Sequence, residues 1–281
     1  MLRRRPEAIL VAHRMDQGRR ELYVEGVGDQ VFLKWLAGEG LHDRTLIVPI
    51  EMVEISDVDE GGNRQRLIEF LRLVEREPHE IRGLLDADDA DYVGETLPSN
   101  AWRTDLRDIE GYVLAEENVE TALRLGCRVE RGSAGLLLLE TQRIAQRLAA
   151  VRLVSRRLGL RLPVSNTKLS KFVSVSDDGS LILNENELIS TLLHRAGISR
   201  RQTSTIVELI PTALGEIQGK PPEFSVQGKD CMKLLTLQFK ALGATDNIGG
   251  DVTPLLWSTF RREKLGEFPV LAEVVRYLLG P

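Results

Sequence analysis

Three acidic residues carry the chemistry most worth pursuing in this sequence: Glu25 in "VEGVGD", and Asp86 and Asp88 in "GLLDADDAD" at residues 83–91. In the second stretch an apolar pair, Leu84 and Leu85, runs straight into Asp86, Asp88, Asp89 and Asp91. Carboxylates packed this closely repel one another, so either water dilutes the repulsion or a cation cancels it. Carboxylate oxygens are the ligands of hard cations such as Mg2+, which usually keeps several waters and takes substrate phosphate as a further ligand. Such an ion can activate water and stabilise charge on a transferring phosphoryl group. Asp-x-Asp just past a strand would place two side chains on one side of an extended segment, because side-chain direction alternates with period two. The plainer alternative is a solvated turn in which one Asp caps a helix, with Glu25 an ordinary loop acid. Their joint occurrence after two strands favours a site.

The elements that must position these acids follow from periodicity. "ELYVEG" (21–26), "TLIVPI" (45–50) and "IRGLLDA" (81–87) read as short buried strands, and "WRTDLRDIEGYVL" (102–114) as a fourth with polar ends. Gly26 and Gly28 loosen the chain after the first strand. Asp29 can then cap a helix from Gln30 to about Ala37, with Val31, Phe32, Trp35 and Leu36 at helical spacing. "NRQRLIEFLRLVER" (63–76) is an amphipathic helix with Leu67, Phe70, Leu71 and Val74 on one face. This alternation predicts an α/β fold: right-handed βαβ units forming a parallel sheet flanked by helices. Functional groups in such sheets collect at the carboxyl ends of the strands, so Glu25, Asp86 and Asp88 are expected on one edge although far apart in sequence.

The second half reads as a mainly helical C-terminal region. It begins with a long helix at 136–158, flanked by Arg143, Arg147 and Arg157, followed by a hairpin at 171–184 around Asp178–Gly179. Helices are predicted near 185–196, 200–217, 229–242, 251–264 and 269–279. The expected division is a catalytic domain over 1–120 and a helical region over 121–281.

With 281 residues, 42% hydrophobic and 28% charged, the chain has material for a sizeable core. The net charge of −5 argues against a simple polyanion binder, but six arginines within the first twenty residues keep a nucleic-acid partner compatible. Cys127 and Cys231 form no CxxC pair, which argues against structural zinc and a disulfide framework and makes a cytoplasmic location the default expectation. "AILVA" after Arg3–Arg5 is too short for a signal h-region of ~7–15 residues, and no apolar run approaches the ~20 of a membrane span.

Other chemistries find less support. His13, His42, His79 and His194 lack HxH or HxxxH spacing and read as surface or packing residues. No GxSxG occurs, and "VEGVGD" lacks both the full GxGxxG and a Walker lysine, so ATP binding by a P-loop is not expected. Lys229 follows Gly228 at the start of an amphipathic helix. It could stabilise a pentavalent phosphate or simply lie on a solvated cap. The Arg flank of the 136–158 helix could contact phosphates or form a solvated face.

"LYVEGVGDQVFLKWL" followed by "LLDADDAD" resembles the Toprim domain shared by type IA and type II topoisomerases, bacterial primases and overcoming-lysogenization-defect nucleases. Its signature is a Glu after the first strand and Asp-x-Asp after the third, which correspond to Glu25, Asp86 and Asp88, and the likeness covers about residues 18–115. A wider likeness, carried by "VEGVGDQVFL", "DIEGYVL" (108–114) and "GKDCMKLL" (228–235), is to Toprim proteins encoded beside ABC-type ATPases in anti-phage defence, such as the effector of the PARIS system.

The resemblance implies a Toprim-like sheet and a nuclease dependent on Mg2+ or Mn2+, acting on DNA or RNA. It also implies control by an ABC-type ATPase partner. Glu25 would be metal ligand or general base, with Asp86 and Asp88 holding metal. Glu110 would complete a second metal position, with Asp108 or Asp105 as substitutes, or else be a surface acid at a strand edge. Lys229 would neutralise developing charge, and Asp89 and Asp91 would be turn or outer acids. A homodimer is compatible with the sequence and no membrane partner is expected. A topoisomerase or primase reading suits the chain less well, since its tyrosines (Tyr23, Tyr92, Tyr112, Tyr277) come without a zinc motif or the length for strand passage. A non-catalytic regulatory subunit docked on an ATPase remains the alternative from a different class.

Overall fold

Leucine-rich and β-branched runs become four short strands: β1 (Arg20–Val24), β2 (Thr45–Pro49), β3 (Ile81–Leu85) and β4 (Ala101–Arg103). They lie in one all-parallel sheet of order β2-β1-β3-β4. The computed structural model describes residues 3–55, 62–76, 80–88, 96–127, 133–244 and 250–280. The fold is therefore α/β, with the parallel sheet that the alternating pattern predicts.

The chain divides into two compact units, Met1–Ile109 with Arg261–Pro281, and Glu110–Phe260. The sequence alone suggested a linear division at 120, but the last helix, Pro269–Leu279, packs within the first unit against α2 (Val27–Ala37). Tyr277 on that helix donates to the Glu80 carbonyl at 2.7 Å.

Alternation along the strands sorts the first unit into two layers. Tyr23, Ile81 and Leu85 join Ile9 of α1 (Pro6–Met15) and Leu67, Phe70, Leu71 and Val74 of α3 (Gly62–Val74) in one core. Helix α1 was not anticipated; the "AILVA" that briefly looks like a leader turns Ile9 and His13 inward. Gly83 lets α3 approach the sheet, since a Cβ there would lie 2.3 Å from the buried Leu71 side chain.

The expected fourth strand over 102–114 is a correction: only three residues pair. Beyond Arg103 the chain turns, with the Thr104 hydroxyl donating to the Leu106 carbonyl at 2.6 Å. The Asp105 carboxylate accepts the Val270 and Leu271 amides at 2.9 and 3.0 Å, which caps the last helix. Residues Ile109–Val113 form a 3-10 turn. The helix expected at 251–264 likewise stops early, as Thr253–Thr259.

A buried acid ties the start of β1 to the N-terminal segment. Glu21 is 0% exposed and accepts from Arg4 at 3.0 Å, from Arg19 at 2.6 Å and from the Tyr23 hydroxyl, with His13 Nε2 at 3.9 Å. Burial alone would raise its pKa, but bonding from His13, Tyr23 and Arg4 outweighs this and holds it at about 2. The same burial pushes the Tyr23 hydroxyl upward.

The second unit is mainly helical, as expected, and the long helix Ser133–Arg157 is its spine. Ile144, Leu148 and Val151 pack with Leu188 and Leu192 of Glu185–Arg195 and Ile206 of Thr203–Gln218. The hairpin Val173–Val175/Leu181–Leu183 is antiparallel. The arginines along the spine are engaged: Arg143 with Glu140, Arg147 with Glu185 and Arg157 with Glu216. That disfavours reading them as a ready row of phosphate contacts. Helix Glu116–Gly126 was not anticipated from the sequence.

Two stability outcomes follow. Gly83→Ala should cost about 1–3 kcal/mol in urea unfolding, because Leu71 is too enclosed to move aside freely. For Glu21 the folded pKa lies below the unfolded one, so its stabilisation is present above about pH 4.5 and disappears as pH falls toward about 2. Glu21→Gln should remove on the order of 3 kcal/mol at pH 7 and flatten unfolding free energy across that acid window.

Candidate metal centre

The strand order fixes where a site can form. From β1 the chain crosses through α2 to β2, then returns through α3 over β1 to β3. The connections leave in opposite directions, so a crevice opens at the carboxyl ends of β1 and β3, the topological switch point of an open α/β sheet. Pairing of Val24 with Leu84 puts the residues after both strands side by side.

Glu25 and Asp86, expected on one edge, meet there. The Asp86 amide donates to Glu25 Oε1 at 3.1 Å. Asp86 is buried at 7% exposure, and the Glu25 carboxylate retains 16%. Asp88 is placed differently from the sequence expectation. It adopts φ +43°, a left-handed conformation that ends the extended segment, and its amide donates to the Arg107 carbonyl at 2.7 Å. The preceding Ala87 amide donates to Thr104 Oγ1 at 2.8 Å. Asp86 and Asp88 therefore do not project as an alternating pair from one strand: one is buried and the other is 34% exposed. Asp89 and Asp91 lie outside the described residues.

Asp29 is not the N-cap expected of it. Gly26 occupies the N-cap of α2, and Asp29, three residues on, returns its carboxylate to the Gly26 amide at 2.8 Å. A carboxylate in a first helical turn is favoured by the helix dipole. This holds Asp29, 6% exposed, close enough to Glu25 for their charges to interact.

The sequence reading missed the first turn of α3. Asn63 Nδ2 donates to the Glu25 carbonyl at 2.8 Å. Arg64 Nη1 lies 3.2 Å from Glu25 Oε1 and 3.8 Å from Asp88 Oδ2, and donates to the Asp86 carbonyl. The only hint was a cation in a helical first turn, where the dipole disfavours it.

Burial raises the Glu25 carboxyl most, the Asp88 and Asp29 charges raise it further, and Arg64 only partly offsets them, leaving it pushed up to about 7. Even beside an arginine, this edge holds more negative charge than its surroundings neutralise. Its hard oxygen donors and that excess charge suit a divalent cation. Among the described residues, however, no group of three or more His, Cys, Asp or Glu side chains is gathered as a ready ligand set.

The remaining candidates fall elsewhere. Glu110 and Lys229 belong to the other compact unit. Glu110 is buried at 5% in a 3-10 turn, so it is not the surface acid at a strand edge that was its alternative. Lys229 is exposed in the first turn of Gly228–Ala241. Asp105 caps the last helix, and Asp108 is 3% exposed. Tyr23, Tyr112 and Tyr277 are buried or bonded in place, while Tyr92 and His79 lie outside the described residues. Among the described residues Cys127 and Cys231 form no disulfide. No described helix is long and apolar enough to cross a membrane. No protein-family model and no curated protein matches the chain.

The raised Glu25 pKa gives a signed outcome. The folded state binds this proton more tightly than the unfolded state, so stability falls as pH rises from about 4.5 through about 7. In chelator, Glu25→Gln should gain on the order of 2 kcal/mol relative to wild type between pH 5 and pH 8, read by urea unfolding.

Proposed function

We propose that this chain is a divalent-metal-dependent nuclease that cleaves phosphodiester bonds in DNA or RNA. The observation that carries the proposal is the meeting of Glu25 with the segment after β3 at the switch point of a parallel sheet, through a 3.1 Å hydrogen bond spanning 61 residues. Glu25, Asp86 and Asp88 would hold Mg2+ or Mn2+. The bound ion would supply charge neutralisation and a more acidic water. Without the ion the Glu25 carboxyl is pushed up to about 7, and a bound cation would favour its ionised, ligating form. The proposal rests on the first unit alone and does not require Glu110 or Lys229.

The Toprim resemblance supports this reading and extends it to an anti-phage effector governed by an ABC-type ATPase. The chain carries no P-loop signature of its own, so ATP dependence would come from such a partner. A non-catalytic regulatory subunit is the second reading. The observation favouring it is that Arg64, rather than a ready ligand set, stands among the acids.

Purified protein, with and without the candidate ATPase, should cleave at least one of single- and double-stranded DNA and RNA in Mg2+ or Mn2+ and be silenced by chelator. Glu25→Ala and Asp88→Ala should each lower cleavage by at least about 100-fold at unchanged far-UV circular dichroism, and Asp91→Ala by much less. Full cleavage by Glu25→Ala would remove the nuclease reading.

A further inference from the structure

Arg64 brings one nitrogen to oxygens from both strand ends. Its Nη1 faces three oxygens from three residues: Glu25 Oε1 at 3.2 Å, Asp88 Oδ2 at 3.8 Å and the Asp86 carbonyl. A terminal guanidinium nitrogen carries two hydrogens, which serve the Glu25 and Asp86 oxygens. The Asp88 separation is that of an ion pair rather than a hydrogen bond. The nitrogen thus behaves as a positive point among oxygens, the situation a small cation would create.

Its location carries the same message. Arg64 lies in the first turn of α3, where the helix dipole disfavours a cation. Gln65 and Glu69 bond to each other, Arg72 pairs with Glu69, and Arg66 donates to the Val53 carbonyl at 2.7 Å, away from the acids. Arg64 instead reaches across to the ends of β1 and β3, with its side chain 19% exposed. Asn63 ties the same turn to the Glu25 carbonyl at 2.8 Å, which keeps the Arg64 backbone beside the crevice.

We infer that Arg64 is an electrostatic place-holder: its guanidinium keeps Glu25 and Asp88 together in the cation-free protein and competes with a divalent cation for the same oxygens. Arg64 is therefore a positioning residue whose removal strengthens metal binding, the opposite of what loss of a supporting contact would do. This rests on the metal reading above. Displaced by the ion, the guanidinium stays within a side chain's length of the crevice, where a phosphate's negative charge would attract it.

Calorimetric titration with Mn2+ at pH 8 tests this on the full chain. Arg64→Gln should bind Mn2+ roughly ten-fold tighter than wild type, the scale of one charge-assisted contact. It should also melt at a lower temperature in chelator and recover more on adding Mn2+. Wild-type binding with equal or weaker binding by Arg64→Gln would overturn the place-holder and leave the metal reading standing. No binding by either protein would overturn both. Because Arg64→Gln could lose its fold in chelator, a second measurement uses wild type alone. The Arg64 side-chain 15N resonance, assigned with Arg64→Lys, should shift and sharpen on Mg2+ saturation. An unchanged resonance in the Mg2+-bound protein would overturn the inference.

Discussion

Parallel pairing of β1 with β3 is the constraint on which the candidate site depends. The register Glu21 to Ile81 through Val24 to Leu84 decides that the next residue on β1, Glu25, ends beside Asp86. A one-residue slip would send the side chains of β1 to opposite faces. Tyr23 would leave the α1/α3 core, and Glu21 would leave Arg4 and Arg19. Apolar packing on one face and a buried ion cluster at the strand's start therefore both hold the register that assembles the acids at its end.

Two acidic centres sit at opposite ends of the same strand and are treated in opposite ways. Glu21 is surrounded by Arg4, Arg19, Tyr23 and His13, and its charge is stabilised despite burial. Glu25 is buried beside Asp88 and Asp29 with Arg64 as its opposing cation, and its charge is disfavoured. A satisfied acid is a structural fixture, whereas an under-compensated one at a switch point is where function is expected. The tyrosines divide similarly: Tyr23 is part of the structural fixture and Tyr277 anchors the last helix.

Residues that looked alike in sequence acquired different physical roles. Asp29, read as a cap, occupies the third position of its helix because Gly26 can enter with an extended backbone and leave its amide for the carboxylate. Asp105, an alternative ligand, binds helix amides from the far end of the chain. Asp86 and Asp88 separate because the chain leaves the extended conformation at Asp88. In each case a long-range or backbone event decided the matter.

Much of the architecture could be read from the sequence because local periodicity reports which face of an element is buried. Three of the four strands, helix α3, the long helix and the hairpin belong to this class, and so does the expectation that Glu25 and Asp86 share an edge. Short β4, helix α1 and the return of the last helix to the first unit were not legible, because they depend on partners distant in sequence. Arg64 is the sharpest example. Only its first-turn position distinguishes it locally from the neighbouring charges of an amphipathic helix, yet the crossing of α3 over β1 brings its guanidinium to Glu25 and Asp88. By itself the sequence determined which acids were available and that parallel strands would carry them to one edge. Only the tertiary structure decided which cation met them there, because that depended on the direction in which the chain crossed the sheet.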